Sequence, residues 1–307
     1  MPASFAATGY SSTSTLDPLL AATSLRVDVH GVPAIDGLSV TSSGEHVLVL
    51  GAASALFEAA AGLRAAARGA LRIEGKVPIE AVREGVAAGA PLDPPMPPRW
   101  TVGEYVTWSA RLAGHSRRLA KDLAGDALSR MALGTTMRAK LGTAVLSVRR
   151  ATVLAAALAT GATTLLVEDP ITGLPAESAP QFTRAMVRAL AERRTIFFAG
   201  RVRLESPVAL AADEAIVLFG SHVAAQGAPA EIAAGEHAFV LRMVGDVRAF
   251  AAALEAEGAH VLGGADGETP SRVSVDLGPL ATRDLLRIAA ASKAVVLELR
   301  PIALAFA

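Results

Sequence analysis

Few residues in this chain are placed to do chemistry. Glu168 and Asp169 stand side by side at the end of an uncharged run, 151–167, with Pro170 after them. A carboxylate there can act as a general base only within hydrogen-bond reach of the attacking water. Alternatively, the two acids are the polar end of a buried strand. Ser147 precedes Val148-Arg149-Arg150; these arginines could meet a phosphate or lie in solvent at a helix start. The six histidines (His30, His46, His115, His222, His237, His260) show no metal-ligand spacing. With no cysteine, the chain has neither a disulfide framework nor a thiolate metal site, which fits a cytosolic protein. Acidic and basic residues balance at 29 each, giving no reason to expect nucleic acid or an anionic membrane surface as a partner.

The elements that must position these groups read as alternating strands and helices. The apolar run 46–50 is of the kind a fully buried parallel strand shows. Gly51 ends it and an Ala-rich helix follows to about Ala61, with Ser54 in its first turn. Strand pieces are expected at 25–29, 38–40 and 70–74. Residues 91–98 form a proline-dense break. After it, Thr101 is a good N-cap and Glu104 the acid of a capping box for a helix over 103–112. A further helix is expected over 119–131, so the block at about 100–145 reads as all-helical. The run 151–167 contains Thr152, Thr160, Gly161, Thr163 and Thr164 and is closed by Arg150 and Glu168. It is better explained by a buried helix, a turn at Gly161 and a buried strand than by a membrane span, which needs about 20 apolar residues. Helices at 181–194 and 207–212 alternate with strands at 195–199 and 215–219, the pattern of a parallel sheet. From about 237 the order becomes βαββαβ, the signature of a ferredoxin-like unit, with a hairpin loop at 263–270. The expected organisation is a loose Ser/Thr/Ala-rich tail over 1–23, an α/β domain over 24–236 and a small domain over 237–307.

Five segments, in order, resemble one family. They are Gly44-Glu45 with the run to Gly51; Ala61-Gly62-Leu63; Leu146-Ser147 with its Ala/Leu helix; Leu165-Leu166-Val167-Glu168-Asp169-Pro170 with Thr172-Gly173-Leu174; and 212–218 with Gln226-Gly227-Ala228-Pro229-Ala230-Glu231-Ile232. The chain resembles the nucleotide-binding subunits of ATP-binding-cassette (ABC) transporters over about residues 24–235. The resemblance implies a P-loop ATPase fold, with a parallel sheet core, an antiparallel subdomain and a helical subdomain at about 100–145. The C-terminal unit looks like one common in exporter-type subunits.

The same resemblance marks what is missing. A phosphate loop needs glycine-rich backbone at a helix N-terminus, a lysine for the β/γ-phosphates and a Ser/Thr hydroxyl for Mg²⁺. Here Gly51-Ala52-Ala53-Ser54 lacks the inner glycines, and no lysine precedes Lys76. Ser54 with backbone could still hold a nucleotide; the alternative is a plain strand–turn–helix. Glu58 adds a negative charge near where phosphates would lie. At the signature motif the glycines are gone after Ser147. The Walker B acids are inverted, which leaves Asp169 one methylene short of the base position. Pro175 replaces the interface aspartate. Arg201 follows the strand where the switch histidine is expected, 88–93 holds no glutamine, and His30 stands where an adenine-stacking aromatic is usual.

Together these losses lead us to expect a catalytically inactive subunit with no cofactor of its own, ATP and Mg²⁺ entering only through a partner subunit. The vestigial nucleotide-site positions are Gly51, Ser54, Ser147, Glu168, Asp169 and Arg201. Expected partners are a second, competent ABC ATPase subunit and a membrane permease, the latter docking on the face of Tyr105, Val106, Trp108 and Leu112. The chain would then sit in the cytoplasm, on the inner face of the membrane. Two other readings stand beside it: a soluble scaffold that kept the fold without transport, and an ATPase with unorthodox chemistry.

Overall fold

Four apolar runs alternate their side chains between two cores, which is why they read as continuous hydrophobic sequence rather than as a period of two. Val47 and Val49 enter one core and Leu48 and Leu50 the other; Leu166, Ile196, Phe198, Ile216 and Leu218 side with the valines, and Leu165, Val167, Phe197, Ala199 and Val217 with the leucines. The structure is a computed structural model that describes residues 17–235, 237–264 and 270–302.

The chain begins β1 (Leu20–Val29), β2 (Val32–Thr41), β3 (His46–Leu50), α1 (Ala53–Ala60), β4 (Arg68–Ile73), α2 (Pro78–Arg83) and β5 (Ala87–Ala90). The middle holds α3 (Val102–Leu112), α4 (Arg117–Arg130), a single 3₁₀ turn and α5 (Leu146–Ala159). Then come β6 (Thr164–Glu168), α6 (Ala179–Leu190), β7 (Arg194–Ala199), α7 (Pro207–Leu210), β8 (Glu214–Phe219), β9 (His222–Gly227) and α8 (Pro229–Ala234). The last part is β10 (Ala238–Gly245), α9 (Val247–Ala256), β11 (His260–Gly263), β12 (Ser271–Asp276), α10 (Thr282–Ala291) and β13 (Ala294–Pro301).

Strands β5-β6-β7-β3-β8-β9 form a six-stranded sheet, parallel except for the β8–β9 hairpin. An antiparallel sheet, β2-β1-β4, lies over α1 and shares the valine-side core with it. Helices α3, α4 and α5 pack on one another and close the leucine-side core. The capping box is formed: Thr101 Oγ1 accepts from Glu104 N at 3.2 Å, and Thr101 N donates to Glu104 Oε2 at 2.7 Å. The run 151–167 is the body of α5, a turn at Gly161 (φ 77°) and β6. Among the described residues no helix is long and apolar enough to cross a membrane.

The C-terminal elements come in the expected βαββαβ order, with sheet order β11-β12-β10-β13 and their own buried core around Leu241, Phe250 and Leu285. This sheet leans on the main one: His222 Nε2 is 2.9 Å from Ser274 Oγ. A Cβ on Gly263 would lie only 2.8 Å from His222 Cδ2, so the small residue permits the approach.

Some expectations shift. Residues 20–23, read with the tail, are the first part of β1, because Leu20 and Ala22 are buried against the antiparallel sheet's core. Residues 1–16 and most of the expected 263–270 loop lie outside the described residues. Helix α2 and strand β5 have no counterpart in the sequence reading. β5 is only Ala-Ala-Gly-Ala and owes its place to pairing with β6.

Candidate functional site

In a parallel α/β sheet the loops at the strands' carboxyl ends converge, and ligands bind there. Here β3, β6 and β7 bring their ends together. Gly51 N donates to Ala199 O at 3.2 Å, and Asp169 N to Phe198 O at 2.8 Å. These bonds bring Gly51, Asp169 and Gly200, the neighbour of Arg201, to one end of the sheet. Ser54 is exposed on the first turn of α1 and Arg201 is exposed beyond β7.

The local geometry at Gly51 is set by packing. Its φ is 91°, and a Cβ would lie 2.3 Å from Leu218 O, so only glycine lets β3 turn this close to β8. Ala52 stands at the N-cap of α1 with no side-chain cap, and no acid or base occupies the first turn. Glu58, on α1, accepts from Arg64 Nε at 2.6 Å.

Both acids at the end of β6 have backbone partners. Glu168 Oε2 accepts from Leu92 N at 3.0 Å, tying β6 to the segment that follows β5. Asp169 Oδ1 accepts from Gly200 N at 2.9 Å and from Thr172 Oγ1 at 3.2 Å. Asp169 has φ 37°, a left-handed backbone that Asp and Asn tolerate better than most residues.

Ser147 is half-buried in the first turn of α5. The two arginines after it part company. Arg149 Nη2 pairs with Asp93 Oδ1 at 3.1 Å. Arg150 is only 9% exposed. Its Nη2 donates weakly to Thr172 O at 3.4 Å, while Nε and Nη1 find no partner. Burial pulls its guanidinium below the ordinary value, against the opposing pull of Asp93, Asp169 and Glu168. It shares with Glu168 a cavity of about 10 Å³, room for roughly one water.

Three residues near Gly51 escaped the sequence reading. Arg242, Arg272 and Glu298, from the C-terminal sheet, line a cavity of about 340 Å³ together with Gly51, Ala52 and Phe219. Arg272 Cζ lies 5.8 Å above the Phe219 ring, and Arg242 Nε is 3.7 Å from Glu298 Oε2. No local signal could have found them, because their sequence neighbours only build strands.

The helical face divides differently from its sequence reading. Val106 is fully buried, so Tyr105, Val106, Trp108 and Leu112 do not form one exposed stripe. Tyr105 packs against the main core, and burial pushes its phenol above the ordinary value. Trp108 is 46% exposed and meets Trp100 edge-on, with ring centroids 5.3 Å apart.

No protein-family profile matches the chain, and no curated protein matches its sequence. Solved structures do match. One is an ATP-binding subunit of an ABC transporter, at 17% identity and a TM-score of 0.58, covering 70% of this chain and 91% of that one. Another is cbiO1 from Clostridium perfringens, described as part of the ABC transporter complex cbiONQ, at 18%, 0.59, 70% and 90%. A third, a nucleotide-free ATP-binding cassette from an ABC transporter, matches at 19%, 0.58, 69% and 91%. The chain has the fold of an ABC ATP-binding subunit. At such identities the likeness speaks of the ABC fold alone; the site must be judged on its own residues.

Proposed function

We propose that this chain is a catalytically inactive ABC-type subunit that pairs with a competent ATPase subunit and docks on a membrane permease. The observation that carries the reading is the use made of Glu168 and Asp169: one oxygen of each holds a backbone N–H at the ends of neighbouring strands. Two further facts support it. The turn at Gly51 is packed against Leu218, and the chain has no lysine before Lys76 to meet a phosphate. Phosphoryl transfer depends on charge stabilisation at the transferred group, and these residues do not fit Mg²⁺ and ATP in that role. In a head-to-tail pair, the site built on this chain's turn would be empty. The other would set the partner's phosphate loop against Ser147. On this reading the protein works at the cytoplasmic face of the membrane. The elements from β1 to α8 form the ABC-like domain, and those from β10 to β13 form a ferredoxin-like unit of the exporter kind.

Calorimetry of the isolated chain with Mg²⁺ and ATP tests the inactive reading: the expected result is no binding tighter than about 10 μM, roughly −7 kcal/mol. Tighter binding overturns it. Co-purification from native membranes tests the partnership: a permease and a second ATP subunit should come with the chain. Their absence favours a soluble scaffold that retains the fold.

A further inference from the structure

Strand β4 has an unused edge. It pairs with β1 on one side, and among the described residues no strand lies on the other. The direction of its main-chain groups follows from the register. Glu74 N donates to Leu19 O at 3.3 Å, which makes these two residues a hydrogen-bonded pair. Such pairs recur at every second residue of an antiparallel ladder, so Ala21 with Arg72 and Thr23 with Ala70 are the next ones. Leu71 and Gly69 therefore turn their N–H and C=O groups away from β1. Ile73 has the same parity and spends both groups on the following turn: Ile73 N donates to Lys76 O at 2.9 Å, and Lys76 N to Ile73 O at 3.0 Å. Before that turn the edge is open.

It opens into a cavity of about 450 Å³ between β4, the end of α1 and the start of α2, a volume ordinary for a ligand site. Leu71, Val77, Pro78 and Ile79 give it apolar walls, and its charged lining is Arg64 and Arg72. Leu71 is only 6% exposed, so its main-chain groups face this cavity rather than bulk water, and such groups are costly to leave unpaired. Arg64 is neutralised by Glu58, whereas Arg72 enters no ion pair among the described residues and donates one bond, to Gly75 O at 3.0 Å.

A free strand edge is normally blunted against pairing. Here the guards are Arg68 and Arg72, which bracket Gly69-Ala70-Leu71. They disfavour a second copy of this chain: in an antiparallel self-pair centred on Ala70, Arg68 would stand opposite Arg72, and like charges directly opposite are destabilising. We infer that the free edge of β4 takes a short, extended, acidic segment of a partner polypeptide as an added strand. The segment's main chain pairs with Leu71 and Gly69, its apolar side chains cover Val77 and Ile79, and a carboxylate meets Arg72. Strand addition divides its work in this way, with affinity from the main chain and selection from the side chains. The open stretch, 69–72, is about 10 Å long at roughly 3.3 Å per residue, so about four residues fill it. The inference does not rest on the loss of ATP chemistry or on docking to a permease.

Fluorescence anisotropy of a labelled synthetic peptide with the core Val-Glu-Val-Glu, titrated with the full chain, tests it. Saturable binding is expected, and its absence overturns the proposal. Methylating alternate backbone nitrogens of the peptide removes main-chain bonds and keeps every side chain. One of the two alternating sets should weaken binding by at least about tenfold, and the other should matter little. Equal binding by both methylated forms overturns strand addition. Arg72→Glu, at an exposed position, should bind the Glu peptide about tenfold more weakly with an unchanged melting temperature. The same variant should gain affinity for a Val-Lys-Val-Lys peptide, which a merely structural role for Arg72 would not produce. If the native chain binds the Lys peptide as well as the Glu peptide, the acidic assignment is overturned. A synthetic peptide of residues 1–16 that displaces the probe at lower concentration than the unlabelled Glu peptide also overturns it, and makes the occupant a segment of this chain.

Discussion

Asp169→Ala should unfold the junction of β6 and β7, and its cost can be worked from the contacts. The substitution removes the acceptor of Gly200 N at 2.9 Å, a part-buried, charge-assisted bond. Such bonds contribute about 2 kcal/mol, and the orphaned donor keeps its desolvation penalty. Alanine must also adopt the left-handed backbone at φ 37°, which costs about 1 kcal/mol. The expected destabilisation is about 3 kcal/mol. Asp169→Asn keeps an oxygen for Gly200 N and suits the left-handed region, so its cost should be about 1 kcal/mol or less. Urea unfolding followed by circular dichroism at neutral pH measures both. The reasoning is refuted if Asn costs as much as Ala, since charge rather than acceptor geometry would then be what the fold needs. A neutral Ala variant refutes it as well. The paired exchange Glu168→Gln/Asp169→Asn, which keeps both acceptors, should leave ATP turnover of the assembled complex unchanged; a large fall would return the acids to catalysis.

Three more outcomes follow from the geometry. Gly51→Ala should destabilise the chain by more than about 2 kcal/mol, because its Cβ would meet Leu218 O at 2.3 Å and φ is 91°; an unchanged urea midpoint would show that the turn is loose. Arg150→Met should raise stability by about 1 kcal/mol, since it removes a buried guanidinium with Nε and Nη1 unpartnered; a marked loss would mean that Glu168 and Asp169 need this charge. Glu104, held below the ordinary carboxylate range first by the backbone bond from Thr101, stabilises α3 above its unfolded pKa and loses that effect as pH falls through the folded value. Glu104→Gln should therefore flatten the acid side of the stability profile, as read from melting temperature against pH.

Much of the fold is legible in the residues. The apolar runs of β3, β6, β7 and β8 declare strands buried on both faces, because two cores leave no polar face to alternate with. Thr101 and Glu104 mark the start of α3, since a capping box satisfies orphan N–H groups locally, whatever the helix packs against. The absence of a lysine before Lys76 is likewise a fact of sequence, and it bounds the chemistry at Gly51 without any coordinates. What sequence could not decide is what each polar group touches. Glu168-Asp169 reads equally as a worn catalytic pair or a strand's polar end, and only the fold shows that the backbone N–H groups of Leu92 and Gly200, just past β5 and β7, bond to them. Arg149 and Arg150 are neighbours of the same type, yet helix geometry turns one to Asp93 and buries the other. Tyr105, Val106 and Trp108 read as one face, but packing into the main core takes Val106 and part of Tyr105 and leaves Trp108 beside Trp100. Arg242, Arg272 and Glu298 reach the turn at Gly51 only because a second sheet leans on the first. Local pattern is set by the backbone's own period, 2 or 3.6 residues, and is written in neighbouring positions. Contacts between distant segments are set by which surfaces must leave water together, and that is decided only when the whole chain packs.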